Sequence, residues 1–357
     1  MLKSKIDALA SGRLTGQREP LHRLEPALAM AVLFWNIQEK KSPRGWDPVL
    51  RRANLQKDVN LVSKMVPHGI AFSPLILAGR PAHFYIPHLL KPRQMFLYLH
   101  GGGYVLGSLD TADSFCRLLC MHTNSVVVSL DYRLSPESTF PAALEDALGA
   151  WLDLQRLNDA GTLASLAEVL GSPLPGQLPF LVIGDSAGGH LATTLCLKLG
   201  QLGLKQPDGQ VLLYPVTNLA SLDTESYRRF ANGYILEKAD MEWFRDCYVP
   251  DEELRADPLV SPLLAPEVGH LPPALVLTAD HDVLRDEGEA WAARLRQAEV
   301  PVWQYRLPGV IHGFASLTAV GTSWLIAMHL IKGFLSELRK GRLAKGGSDG
   351  SSRPAPQ

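Results

Sequence analysis

One serine in this sequence stands where the chain can do nucleophilic chemistry. Ser186 lies in the run Gly-Asp-Ser-Ala-Gly at 184–188, between an apolar, β-branched segment at 180–183 and leucines at helical spacing up to 202. A chain that passes from a buried strand into a helix within a few residues strains the serine backbone, and flanking glycines let strand and helix approach closely. The pattern predicts Ser186 as a nucleophile at the carboxyl end of a strand. A serine that only caps its own helix is the alternative.

A serine hydroxyl needs a base to take its proton, and the base needs an acid that fixes its tautomer and orientation. His312 follows the last predicted strand and stands beside a glycine, while Asp280 and Asp282 follow the strand before it. The chain order is therefore serine, aspartate, histidine, which is one of the known orders of a catalytic triad. This order predicts His312 as the general base and leaves Asp280 and Asp282 as alternatives for the acid.

A run of three glycines follows another predicted strand. The sequence His-Gly-Gly-Gly at 100–103 comes directly after the apolar segment at 95–99. Consecutive glycines expose backbone N–H groups that no side chain shields, as is needed to stabilise the negative charge that develops on a carbonyl oxygen. We interpret the run as an oxyanion hole, with a flexible turn as the alternative.

These residues must be positioned by strands that alternate with helices. Short apolar runs broken by proline and glycine predict an antiparallel hairpin at 66–86. Further strands are predicted at 95–99, 125–130, 180–183, 211–215, 274–278 and 302–307, and helices at 141–157, 162–170, 190–202, 283–298 and 320–339. The sequence therefore predicts an α/β fold with a mostly parallel central sheet flanked by helices. In the loop after 130 we interpret Asp131, Arg133 and Glu137 as an ion-pair network, not as catalytic acids.

Three segments fall outside this alternation. Residues 1–60 have the apolar stripes of packed helices, and residues 217–259 mix aromatic and charged residues as helices inserted above a sheet would. Residues 341–357 are rich in Gly, Ser, Lys and Pro and predict a disordered tail. The catalytic residues all lie in the remaining segment, 61–340.

Composition and charge exclude several classes of protein. The 357 residues are 46% hydrophobic and carry a formal net charge of −1, which argues against binding to nucleic acid. The four cysteines show no paired metal spacing and are interpreted as reduced thiols in or near the core. The apolar run at 27–35 begins too late and is too short for a signal peptide or a membrane span. We therefore expect a cytoplasmic protein without stable membrane insertion.

Five segments together resemble the hormone-sensitive-lipase family of α/β-hydrolase esterases. They are His-Gly-Gly-Gly-Tyr at 100–104, Asp-Tyr-Arg-Leu-Ser-Pro-Glu at 131–137, Gly-Asp-Ser-Ala-Gly-Gly at 184–189, Asp-Val-Leu-Arg-Asp-Glu-Gly at 282–288 and His-Gly-Phe at 312–314. The resemblance implies an α/β-hydrolase fold with a helical cap, built from the N-terminal helices and the insertion at 217–259. It also implies Asp282 as the triad acid and the N–H groups of Gly102, Gly103 and Ala187 as the oxyanion hole. Val283 and His190 depart from the residues usual in the family, which puts the shape of the pocket in doubt.

The expected function is hydrolysis of carboxylic esters of short to medium acyl chain through an acyl-enzyme, with no cofactor and no metal. The resemblance and the aromatic residues predict a substrate pocket lined by Trp35, Tyr104, Trp243, Phe244 and Phe314. The expected partner is a small-molecule ester, and relatives often form homodimers. The alternatives are an amidase or deacetylase on the same triad, a non-catalytic small-molecule receptor, and a lipase that works at a membrane surface.

Overall fold

A computed structural model of the chain describes residues 23–41, 46–62, 68–88, 90–341 and 343. The predictions made for residues 1–22 and for the tail beyond 343 lie outside these residues. In the described part the chain builds one sheet with helices packed against it, preceded by two helices and interrupted by a helical insertion.

The sheet has eight strands in the order β1-β2-β4-β3-β5-β6-β7-β8. They are β1 Ile70–Leu77, β2 Arg80–Pro87, β3 Met95–Leu99, β4 Val126–Leu130, β5 Phe180–Asp185, β6 Gly209–Leu213, β7 Ala274–His281 and β8 Val302–Ile311. Strand β2 pairs antiparallel with β1 and β4, and the pairs from β4 to β8 are parallel. Every residue of β3 to β6 is buried, which explains why these strands are mostly apolar and show no alternation with polar residues.

The described part of the chain also contains ten α-helices. They are α1 Pro26–Lys41, α2 Pro48–Val62, α3 Leu109–Thr123, α4 Ala142–Asp159, α5 Thr162–Val169, α6 Ala187–Gln201, α7 Glu225–Arg229, α8 Lys238–Tyr248, α9 Arg285–Gln297 and α10 Ser323–Arg339. Helix α6 packs on β5 and β6, α9 on β7, and α3 on β4. A capping box starts α3, since Ser108 and Thr111 each accept a hydrogen bond from the other's backbone N–H group.

The α/β fold, the N-terminal hairpin and the short helix at 162–170 are confirmed, with shifts of a few residues at element ends. Two strands are longer than predicted, because β7 continues past Thr278 to His281 and β8 past Leu307 to Ile311. The ladder is irregular between Ala279 and His281, after which His281 pairs with Ile311. Polar residues and Pro308 in these extensions hid the strands from a pattern based on apolar runs.

The N-terminal helices contact the insertion at 217–259. The Asn36 side-chain amide on α1 donates to the Gly233 carbonyl at 3.0 Å. The Arg51 guanidinium on α2 pairs with the Asp240 carboxylate on α8 at 3.0 Å, and both side chains are buried. The two segments that the sequence set apart from the sheet are therefore joined to each other by polar contacts.

All four cysteines are free thiols, and only Cys247 is not fully buried. The prediction of reduced residues in or near the core is confirmed. Burial raises the pKa of the Cys116 and Cys196 thiols, which keeps them protonated and unreactive. Across the described ranges no helix combines the length and apolar character needed to cross a bilayer.

Candidate active site

Ser186 lies between the last residue of β5 and the first residue of α6, with φ 55° and ψ −120°. This conformation is rare and strained for a residue with a side chain. Close packing enforces it, because a Cβ atom on Gly188 would overlap the Leu99 carbonyl and one on Gly184 would overlap the Gly188 carbonyl. The Ser186 N–H group donates to the Leu213 carbonyl at 2.8 Å. The glycines thus allow a turn that leaves the serine hydroxyl at the carboxyl edge of the sheet.

Two hydrogen bonds join Ser186, His312 and Asp282. The Ser186 Oγ atom lies 2.9 Å from His312 Nε2, and His312 Nδ1 lies 2.7 Å from Asp282 Oδ2. Because an ionised carboxylate can only accept, His312 donates through Nδ1, which leaves Nε2 to accept the serine proton. The other oxygen of Asp282 accepts the Leu284 N–H at 2.9 Å. The site therefore holds the histidine in the tautomer that a general base requires.

The structure distinguishes the two aspartates that the sequence left open. Asp282 is 2% exposed and bonded to His312. The Asp280 carboxylate lies instead 3.6 Å from His281 Nδ1, with its side chain one third exposed. Only Asp282 is brought to the histidine.

The glycine run turns sharply beside Ser186. Gly102 and Gly103 have φ values of 114° and 61°, and the Leu106 N–H donates to the Gly102 carbonyl at 2.8 Å. A Cβ atom on Gly103 would overlap the Phe244 ring. No hydrogen bond within the described part of the chain uses the N–H groups of Gly102, Gly103 or Ala187 as donors. Ala187 also begins α6, whose N-terminus favours negative charge.

A cavity of about 220 Å³ opens onto Ser186 and His312. Its lining includes the glycine run and apolar side chains from α1, α2 and the insertion: Trp35, Leu55, Val59, Ile235, Leu236 and Phe244. Of the five predicted pocket residues, the structure places Trp35 and Phe244 in this lining.

The other three predicted pocket residues lie elsewhere, which corrects the prediction. The Tyr104 ring is fully buried and stacks on Tyr248, with centroids 3.8 Å apart. Phe314 is buried, and its ring centroid lies 5.1 Å from that of Tyr214. Trp243 is not among the residues that line the cavity. Its ring packs on the Arg51 guanidinium, whose Cζ atom lies 4.6 Å from the ring centroid. None of these three rings is part of the cavity lining.

The ion-pair network predicted in the loop at 131–137 does not form among the loop residues themselves. Arg133 pairs with Asp146 on α4 at 2.8 Å, and Glu137 pairs with Arg52 on α2 at 2.7 Å. The Arg52 guanidinium also donates to the Val105 carbonyl at 2.7 Å. These residues therefore tie the loop to helices and not to one another.

Sequence reasoning missed the buried pair that Arg51 and Asp240 form at the cavity, which both residues line. It also missed Glu287, a buried carboxyl close to the triad. Its Oε1 atom accepts the N–H groups of Thr217 and Asn218 at 2.7 and 3.2 Å. The pKa of Glu287 is raised to about 8, mainly because the carboxyl is buried; the two N–H donors lower the pKa, and the nearby charge of Asp282 raises it.

Known proteins are similar to this chain in sequence and in fold. A family model described as alpha/beta hydrolase fold matches residues 96–316. An ethyl acetate hydrolase from Pseudomonas putida is 35% identical over 328 residues, which make up 89% of this chain and 92% of that protein. The carboxylic ester hydrolase LipN from Mycobacterium tuberculosis is 40% identical over 260 residues, 69% of this chain and 65% of that protein. A hyperthermophilic esterase structure from the archaeon Pyrobaculum calidifontis matches with a TM-score of 0.74 and 33% identity, covering 90% of this chain and 99% of the other.

The fold and the hydrogen-bonded serine, histidine and aspartate define a serine hydrolase. This chain belongs to the α/β-hydrolase family, among the carboxylesterases that resemble hormone-sensitive lipase. The family and the fold class predicted from the sequence motifs are confirmed.

Proposed function

We propose that this enzyme hydrolyses carboxylic esters of short to medium acyl chain through an acyl-enzyme formed on Ser186. The observation that carries the proposal is the continuous hydrogen-bonded path from Ser186 Oγ through His312 to Asp282, with distances of 2.9 and 2.7 Å. A nucleophile and base within hydrogen-bond reach, with the base oriented by a third group, are what acyl transfer requires.

Each residue has one role in the proposed reaction. His312 Nε2 takes the Ser186 proton while the hydroxyl attacks the ester carbonyl, and Asp282 stabilises the imidazolium that forms. The N–H groups of Gly102, Gly103 and Ala187 stabilise the oxyanion, and losing one such donor typically costs about 100- to 1000-fold in rate. His312 then protonates the leaving alcohol. Water, activated by the same histidine, releases the acid and restores the serine.

The size of the cavity supports the proposed chain length. Sites for drug-sized ligands measure roughly 300 to 1,000 Å³, whereas this cavity measures about 220 Å³. The 35% identical relative is named an ethyl acetate hydrolase, which also favours a small ester. Bulky apolar residues of α1, α2 and the insertion line the cavity and restrict its volume.

We also propose that residues 1–60 and 217–259 act together as the cap of a catalytic domain at 61–340. The contacts of α1 and α2 with the insertion support this division. The homodimer and the cytoplasmic location expected from the sequence stay predictions, which sedimentation velocity and cell fractionation can check.

The test is hydrolysis of nitrophenyl esters from acetate to palmitate by the native protein, Ser186→Ala and Ser165→Ala. Ser165 is an exposed serine on α5 and serves as a matched control. We expect a maximum at short or medium chains, activity near background for Ser186→Ala, and unchanged activity for the control. A Ser186→Ala protein that keeps its activity would refute the role of Ser186. Faster cleavage of matched amides than of esters would favour the amidase alternative.

A further inference from the structure

Asp185 is a buried residue next to Ser186, and no step of the proposed reaction uses its carboxyl. It is 8% exposed and lines the cavity together with Ser186. Its Oδ1 atom accepts two hydrogen bonds, from the Tyr98 hydroxyl at 2.6 Å and from the Gly101 N–H at 2.9 Å. One oxygen therefore joins strand β3, the start of the glycine run and the residue before the nucleophile.

We propose that Asp185 is a positioning residue that fixes the loop Gly101 to Gly103 against the Ser186 turn and so sets the geometry of the oxyanion hole. The inference rests on the proposed function, because it assigns a role to Asp185 only if Gly102 and Gly103 stabilise an oxyanion. It concerns placement of the donors, since Asp185 itself neither attacks nor transfers a proton.

Close packing of the loop on residue 185 supports this role. A Cβ atom on Gly101 would overlap Asp185 Oδ2 and lie 3.0 Å from the Asp185 carbonyl oxygen. The loop thus contacts the side chain and the backbone of Asp185 through the residue directly before the first proposed donor. The Gly102 carbonyl, which accepts from the N–H groups of Val105 and Leu106, anchors the other side. With one anchor on each side, the Gly102 and Gly103 N–H groups have little freedom to turn away from Ser186.

Tyr98 holds the carboxyl in place. Tyr98 pairs with Ile183 across the neighbouring strands β3 and β5. It is 2% exposed, and its ring packs on that of Phe115, with ring centroids 5.3 Å apart. The hydroxyl therefore approaches Asp185 from a rigid strand. A carboxyl held from the strand side can orient the Gly101 N–H on its loop side.

The experiment compares Asp185→Ala, Asp185→Asn and Tyr98→Phe with the native enzyme. Asparagine keeps an oxygen that can accept from both Tyr98 and Gly101, so Asp185→Asn should retain kcat within about tenfold. Asp185→Ala removes both bonds, and misplacing the oxyanion donors should lower kcat about 100-fold with KM changed less than about threefold. Tyr98→Phe should lower kcat in the native background and have no further effect in Asp185→Ala, because both act through one contact.

Asp208→Ala is the matched control. The Asp208 carboxylate also accepts a backbone N–H, that of Phe180 at 2.7 Å, but at the opposite end of β5. We expect this variant to lose thermal stability and keep kcat. An alkyl boronic acid, whose tetrahedral adduct places an oxygen in the hole, adds a readout of donor geometry. Its inhibition constant should rise in Asp185→Ala by about the factor lost in kcat/KM.

The outcomes separate the two proposals. An active Ser186→Ala enzyme would refute the proposed function itself. An inactive Ser186→Ala enzyme combined with native kcat in folded Asp185→Ala would refute only the role of Asp185. Equal losses in Asp185→Asn and Asp185→Ala would also refute it, because the acceptor geometry would then not be what matters. If Asp185→Ala does not fold, Tyr98→Phe decides, and native kcat in that variant overturns the proposal.

Discussion

Replacing Glu287 by glutamine should make the stability of this enzyme less dependent on pH. Glu287 is 1% exposed, and burial raises the pKa of its carboxyl from an ordinary 4.5 to about 8. In the unfolded chain the carboxyl loses its proton near pH 4.5, whereas in the folded enzyme it keeps the proton up to about pH 8. Between these values the folded state binds more protons, so the free energy of unfolding must fall as pH rises.

The magnitude follows from the size of this change. At about 1.4 kcal/mol per pH unit, the difference between 4.5 and about 8 corresponds to roughly 5 kcal/mol, which is present below pH 4.5 and lost by about pH 8. Glutamine is neutral at every pH and keeps an oxygen for the Thr217 and Asn218 N–H groups. The free energy of unfolding of Glu287→Gln, taken relative to that of the native enzyme, should therefore be several kcal/mol higher at pH 9 than at pH 5.

The assay is urea unfolding of native enzyme and Glu287→Gln at pH 5 to 9, with Glu168→Gln as a control. Glu168 is an exposed glutamate on α5, and its replacement should shift the free energy of unfolding equally at all pH values. The reasoning is refuted if the difference between native enzyme and Glu287→Gln is the same at pH 5 and pH 9.

Three further predictions test other parts of the structure. Asp282→Asn should favour the wrong tautomer of His312 and lower kcat by about 10⁴-fold in a folded protein, measured by steady-state kinetics beside circular dichroism. Gly188→Ala places a Cβ atom on the Leu99 carbonyl and should lower Tm markedly. Gly333→Ala, on α10, places its Cβ atom in ordinary contact with the Trp303 ring at 3.4 Å and should leave Tm unchanged or raise it. Phe244→Ala enlarges the cavity and should move the ester optimum to longer chains, and an unchanged nitrophenyl ester profile would contradict the placement of this ring.

The sequence could indicate the hydrogen-bonded serine, histidine and aspartate because their signals are local. A strand, a glycine-flanked serine and a helix stand within a few residues of one another, and the closeness of Gly188 to Leu99 shows why only glycine suits that position. The acid was ambiguous from residues alone, since Asp280 and Asp282 follow the same strand. Side chains alternate between the faces of a strand, so positions 280 and 282, which are two residues apart, would share a face, and counting along the strand could not decide between them.

The pocket was predicted less well, because aromatic content does not say which way a ring points. Tyr104 directly follows the glycine run and was expected to face the substrate, yet it has φ 65° and stacks on Tyr248. A positive φ turns the side chain away from the direction that an ordinary extended residue would take. Of the rings proposed for the pocket, Trp35 and Phe244 line the cavity, and these come from the two segments that the sequence set apart from the sheet.

Contacts between distant segments were beyond the sequence altogether. Arg51 and Asp240 are 189 positions apart, and neither stands in a motif, so nothing local indicates that they pair. The cost of burying a charge explains why they must, since an isolated buried ion is strongly unfavourable unless it is paired. Because this pair joins α2 to the insertion where both line the cavity, we expect the chain length accepted by the enzyme to depend on two segments that no motif connects. Substrate range should therefore vary more among relatives than the reaction itself, which depends on the motifs around Ser186.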